Sequence, residues 1–157
     1  MSLSPPRDSA GARWDIATLI ALLALVGVLA LLSKQHALFA RGSLAQGVQI
    51  AAGLLMLWAR VTFGTRSFHA TASATAGGLV THGPYRFWRH PIYAAVLYFV
   101  SAGILTHAAP LALALGGVTL VATAIRIAGE EHSLQEAFPG EYAAYAARTR
   151  RLISFVL

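Results

Sequence analysis

Two short segments concentrate most of the residues in this chain that could do chemistry. The first is Thr81-His82-Gly83-Pro84-Tyr85-Arg86-Phe87-Trp88-Arg89-His90-Pro91-Ile92-Tyr93. Arginine, tryptophan and tyrosine at headgroup depth, with a proline opening a helix, would serve as an interfacial belt. Two histidines, two tyrosines and two proline breaks in so few residues supply more directional hydrogen-bonding groups than an anchor requires. The second segment is Arg126-Ile127-Ala128-Gly129-Glu130-Glu131-His132-Ser133-Leu134. On a helix Arg126 and Glu130 share one face as i and i+4, and Glu131 points about 100° away. That spacing reads either as a helix-end ion pair or as a site, because an ionisable group reached after a long apolar run is a functional candidate. Downstream, Tyr142 and Tyr145 are three apart and share a helix face, and Arg148, Arg150 and Arg151 form a basic tail suited to anionic headgroups.

The elements that must position these residues are hydrophobic. Of 157 residues 57% are hydrophobic and 11% charged, against about 25% charged in a soluble domain. With a mean hydropathy of +0.62 the chain lacks the polar surface of a water-soluble globule. The net charge of +6 is then matched to anionic lipid rather than to nucleic acid. The absence of cysteine removes disulfides and thiolate chemistry. No dinucleotide-binding glycine fingerprint, P-loop, H-E-x-x-H or G-x-S-x-G occurs, and His82 and His90 have no third ligand at metal spacing, so no metal is expected. His36 and His107 read as bystanders.

The sequence predicts an all-α, integral membrane helical bundle of about four spans. Ile16 to Ser33 and Gly42 to Ala59 are uncharged runs close to the roughly 20 residues that cross a bilayer. The first is longer than a signal-peptide core and lacks a clear cleavage site. Pro91 to Ile125 is uncharged but too long for one span, and Thr106-His107-Ala108-Ala109-Pro110 breaks it into a hairpin whose arms open at Pro91 and Pro110. The second arm should continue past Arg126 into Phe138, weakened but not ended by Gly129. Ser67 to Tyr85, small and glycine-rich, reads as a loop over the membrane face. Residues 1–65 would supply two spans and 66–157 the catalytic half of one domain. With four spans, ten of the twelve basic residues and all six acidic ones fall on the side of the termini, which the positive-inside rule makes cytoplasmic.

Together the two segments carry a resemblance. Gly83-Pro84-Tyr85-Arg86-Phe87-Trp88-Arg89-His90-Pro91-Ile92-Tyr93, then Arg126 and Glu130-Glu131-His132-Ser133-Leu134, then Phe138 with Tyr142, resembles the isoprenylcysteine carboxyl methyltransferase family, whose wider group includes phospholipid methyltransferases. The likeness runs from Leu79 to about Ile153; the first 65 residues share only hydrophobicity. Phe138-Pro139-Gly140 and the ending Arg151-Leu152-Ile153-Ser154 depart from the family's usual Phe-Gly and Arg-Leu-Ile-Pro.

The resemblance implies an S-adenosylmethionine-dependent membrane methyltransferase. Its cofactor residues would be Leu79, Val80, Tyr85, His90, Pro91, Tyr93 and Glu130, and Arg126 would face a lipid-like or isoprenoid acceptor as the catalytic residue. Glutamate can accept hydrogen bonds from a ribose or ammonium, histidine and tyrosine can donate to a carboxylate, and arginine can orient an anionic acceptor. Three other readings fit the same features: a phospholipid N-methyltransferase acting on an amine, an NADPH-dependent sterol-type reductase, and a membrane protein whose clusters serve only as anchors.

Overall fold

The structure, a computed structural model, describes residues 9–64 and 78–152. The expected loop therefore lies mostly outside the described residues, as do Arg7, Arg66 and Ser154. Five α-helices account for most of what is described: α1 (Ser9–Lys34), α2 (Ser43–Phe63), α3 (Pro91–His107), α4 (Pro110–Ala137) and α5 (Pro139–Arg148). All the apolar runs are helical. The hairpin opens at Pro91 and Pro110, where a missing N–H costs a helix nothing.

Three helices, α1, α2 and α4, are long and apolar enough to cross a membrane, and α3 is apolar but only 17 residues long. At 1.5 Å per residue α3 reaches about 26 Å, slightly less than the hydrocarbon thickness. The helix pairs set the layout: α1 lies along α4, α2 along α3, and α3 against α4. Ile16, Ile20, Leu23 and Val26 on α1, with Ile50, Leu54 and Leu57 on α2, stay exposed, as a lipid-facing surface must.

At the end remote from the polar segments, Val28 and Leu32 of α1, Val100 and Ile104 of α3, and Ala112 and Leu115 of α4 close an apolar core. Buried Gln49 holds the connection between α1 and α2 there. Its amide donates to Leu38 O at 2.8 Å and Phe99 O at 2.9 Å, and its carbonyl accepts from Ala40 N at 2.9 Å. An apolar span tolerates such a side chain when every polar atom is satisfied. The turn between α3 and α4 is tight enough to force Ala108 into the left-handed region, φ 48°.

α4 continues to Ala137, well beyond Arg126, as expected. This length lifts Arg126, Glu130 and Glu131 to the polar end, where the chain before α3 also arrives. Gly129 lets α1 pack closely there: a Cβ at this position would lie within 3.0 Å of Thr18 Cγ2 and 3.4 Å from Trp14 Cε3.

Candidate active site

The loop ahead of α3 is drawn against α2. Gly83 has φ 59°, and a side chain there would meet Thr62 Oγ1 at 2.6 Å, so glycine permits both the backbone and the approach. One helical turn, Gly83–Arg86, follows and buries Pro84 and Tyr85. Tyr85 joins Ala59 and Val80 in an apolar cluster with Phe63 and Ile92 packed on it, and its ring lies 5.5 Å from that of Phe63. Of the expected cofactor residues, Val80 and Tyr85 thus share one wall, with Leu79 half-buried before them.

His90, only 3% exposed, precedes α3 and meets both glutamates of α4. Its Nδ1 is 3.6 Å from Glu130 Oε2, and its Nε2 is 3.2 Å from Glu131 Oε1. Residues 40 positions apart in sequence therefore come together at one end of the hairpin, as the reading of the sequence requires. Burial alone would lower the His90 pKa; the Glu130 and Glu131 carboxylates facing the ring outweigh it and raise the value above the ordinary 6.5.

Next along the same face stands Arg126, buried. Its Nε donates to the Tyr93 hydroxyl at 3.2 Å, its Nη1 donates to Thr18 O at 2.9 Å, and its guanidinium carbon lies 5.9 Å from the Tyr93 ring centroid. Tyr93 in turn interacts with Glu130 and packs 5.9 Å from His90. Pro91 is buried as the first residue of α3. Arg126, Tyr93, Glu130 and His90 thus form one contiguous polar patch.

Glu130 is the more open carboxylate, with its side chain 26% exposed against 8% for Glu131. It is an electrostatic neighbour of Tyr85, Tyr142 and Tyr145. Burial raises the pKa of each of these phenols, to about 12 for Tyr145, so all three remain neutral donors at physiological pH. Three polar atoms around this patch are buried without a hydrogen-bond partner: Arg89 Nε, His90 Nδ1 and the Tyr142 hydroxyl.

Comparison with known families accounts for most of the chain that carries this patch. Residues 45–136 match the profile of the isoprenylcysteine carboxyl methyltransferase family, from the start of α2 almost to the end of α4. The chain belongs to that family. Its members are methyltransferases, and the long apolar helices make this ICMT-family chain a membrane protein. No curated protein and no solved structure shows significant similarity to it. The match starts earlier than the resemblance drawn from motifs, because α2 carries family character as well as hydrophobicity. It ends before Tyr142 and the tail.

The tail corrects another expectation. Arg151 does not simply reach for headgroups: its Nε donates to Glu131 Oε1 at 3.0 Å, and its Nη2 donates to Glu131 Oε2. Arg89 N donates to Arg150 O at 2.7 Å, His90 N to Arg151 O at 3.1 Å, and Arg150 N to Phe87 O at 3.1 Å, which pairs the two segments as a miniature parallel bridge. Arg89 Nη1 caps the end of α5 through Ala146 O and Thr149 O, and the Tyr145 hydroxyl donates to Tyr85 O at 2.7 Å. These tail contacts escaped the reading of the sequence. One signal was available: Glu131 has Ile127 and Gln135 at i−4 and i+4, so no cation on its own helix could pair with it.

Proposed function

We propose that this protein transfers a methyl group from S-adenosylmethionine to the carboxylate of a lipophilic, isoprenoid-like acceptor dissolved in the membrane. The observation that carries this reading is the meeting of His90 Nδ1 and Glu130 Oε2 at 3.6 Å, beside the Arg126–Tyr93 pair.

The residues present fit the cofactor. A sulfonium carrying an ammonium, a carboxylate and a ribose needs an anion, neutral donors and aromatic faces. Glu130 supplies the anion, the unpartnered His90 Nδ1 and Tyr142 hydroxyl are free to donate, and Tyr85 and Tyr93 offer rings. Val80 and Leu79 would form the apolar side of the same pocket. When bound, the cofactor supplies an electrophilic methyl group on its sulfonium sulfur.

The chain's own task is then to bind and orient two partners, a contribution that can reach about 7–11 kcal/mol in well-aligned reactions. Arg126 holds its guanidinium at the edge of the apolar layer through Tyr93 and Thr18. There it favours an anionic acceptor and keeps a carboxylate deprotonated, whereas it would repel a phospholipid ammonium. The carboxyl specificity in the family's name agrees with this preference. A greasy acceptor would enter between helices, and the polar cofactor from the face that carries the basic residues, the cytoplasmic one.

Calorimetry on detergent-solubilised protein tests the assignment. S-adenosylmethionine and its demethylated product should bind and NADPH should not; Glu130→Ala should abolish that binding. Arg126→Ala should retain it and lose turnover. With methyl-labelled cofactor and membrane lipid extract, label released as methanol by mild alkali identifies a methyl ester. Alkali-stable label would assign an amine acceptor instead.

A further inference from the structure

The proposed chemistry leaves Glu131 and Arg151 without a part, yet they are bonded to each other through both carboxylate oxygens. Both oxygens of Glu131 are taken by Arg151, Oε1 also meets His90 Nε2 at 3.2 Å, and Arg89 Nε lies 3.5 Å from that oxygen. So many cationic donors keep Glu131 an anionic acceptor. An anionic acceptor at Nε2 requires that nitrogen to carry a proton, and in the charged ring Nδ1 carries one as well. The ring is thereby fixed, and only Nδ1, buried and without a hydrogen bond, remains to meet a ligand beside Glu130.

The tail grips His90 twice. Its backbone N–H donates to Arg151 O, and its ring is linked through Glu131 to the Arg151 guanidinium. A tail needed only as an anchor would require neither contact.

We propose that Glu131 and Arg151 are positioning residues: they lock His90 with Nε2–H on Glu131, so that Nδ1 is presented to the methyl donor, and the 149–151 segment thus completes the site. This inference rests on the cofactor reading above. The charged and titratable groups around His90 are Glu130 and Glu131 on α4, Arg151 in the tail, and Arg89 and Tyr93 in its own segment, with Tyr142 of α5 beyond Glu131.

The test combines side-chain nitrogen NMR of 15N-histidine-labelled protein in micelles with calorimetric binding of S-adenosylhomocysteine from pH 6 to 9. The His90 signal is assigned by its loss in His90→Gln. Glu131→Gln removes an anion and should lower the His90 titration midpoint; Arg151→Gln removes a cation and should raise it. Both should weaken S-adenosylhomocysteine about tenfold, the effect of losing a charge-assisted bond. Arg151→Lys should recover part of that loss. Under turnover, KM for the cofactor should rise in both variants while KM for the acceptor stays put.

Unchanged midpoints with unchanged affinity would overturn the proposal. Should Glu131→Gln fail to fold, Arg151→Gln, at a half-exposed side chain, carries the test alone. If the wild-type protein binds no S-adenosylhomocysteine, the methyl-donor reading fails. The midpoint shifts then still decide whether Glu131 and Arg151 govern His90.

Discussion

Gly129 and Gly117 lie on the same helix, twelve residues apart, and the structure assigns opposite outcomes to the same substitution at each. In an open helical position, replacing glycine by alanine gains up to about 1 kcal/mol of helix propensity. Gly117 has nothing within 4 Å of the new methyl group, so Gly117→Ala should be neutral or stabilising by up to that amount. At Gly129 the Cβ would sit within 3.0 Å of Thr18 Cγ2, and carbon atoms prefer about 3.5–4.0 Å. Thr18 is 1% exposed, β-branched and held through its hydroxyl to Asp15 O at 3.1 Å, so its side chain has nowhere to turn. α1 must instead retreat by about 1 Å, which stretches the 2.9 Å bond from Arg126 to Thr18 O. Overpacking costs about 1–3 kcal/mol and the lost charged hydrogen bond about 1.5–3 more, together exceeding the propensity gain. Gly129→Ala should therefore lower the thermal midpoint in micelles by several degrees and cut turnover more than cofactor binding. A Gly129→Ala protein as stable and active as Gly117→Ala would refute the close α1–α4 packing and the positioning of Arg126 by α1.

Three further outcomes follow from single features. Ala108 adopts a left-handed conformation that costs a non-glycine residue about 1–2 kcal/mol, so Ala108→Gly should raise the thermal midpoint without altering cofactor affinity. Tyr145→Phe removes the 2.7 Å bond to Tyr85 O and leaves a buried carbonyl unpaired; denaturant titration should show a loss of about 1–3 kcal/mol. His90 has a folded pKa above its ordinary 6.5, so its charged form stabilises the fold. That contribution is complete below about pH 6.5 and is lost as pH rises through the raised folded value. Thermal midpoints measured from pH 6 to 9 should fall across this range, and His90→Gln should flatten the slope.

Much of the helical framework was legible because a bilayer leaves the backbone few options: an apolar run must close its hydrogen bonds internally, so composition alone places a helix. The proline-marked hairpin and the passage of α4 beyond Arg126 followed from local rules at Pro91, Pro110 and the helix-favouring residues after Ile127. Which helix lies beside which did not follow. All four apolar helices, α1 to α4, are greasy on most sides, and lipid competes equally for every face, so hydrophobicity carries little pairing information. The pairing is written in exceptions instead. Gly129 allows Thr18 to approach, and Gln49 stitches α2 to α3 through Phe99 O.

The candidate site divides in the same way. His90, Tyr93, Arg126 and Glu130 were identified because their spacing repeats a family pattern, and helix periodicity alone separates Glu130 from Glu131. The division of labour between the two glutamates was hidden, because it depends on a cation that arrives from 20 residues downstream. Arg151, read in isolation, is one more arginine in a basic tail. Bonded to Glu131, it makes that carboxylate a fixed anion and leaves Glu130, 26% exposed, as the more open of the two. The two acids are adjacent in sequence and similar in chemistry. What separates them is which one the returning chain has already claimed.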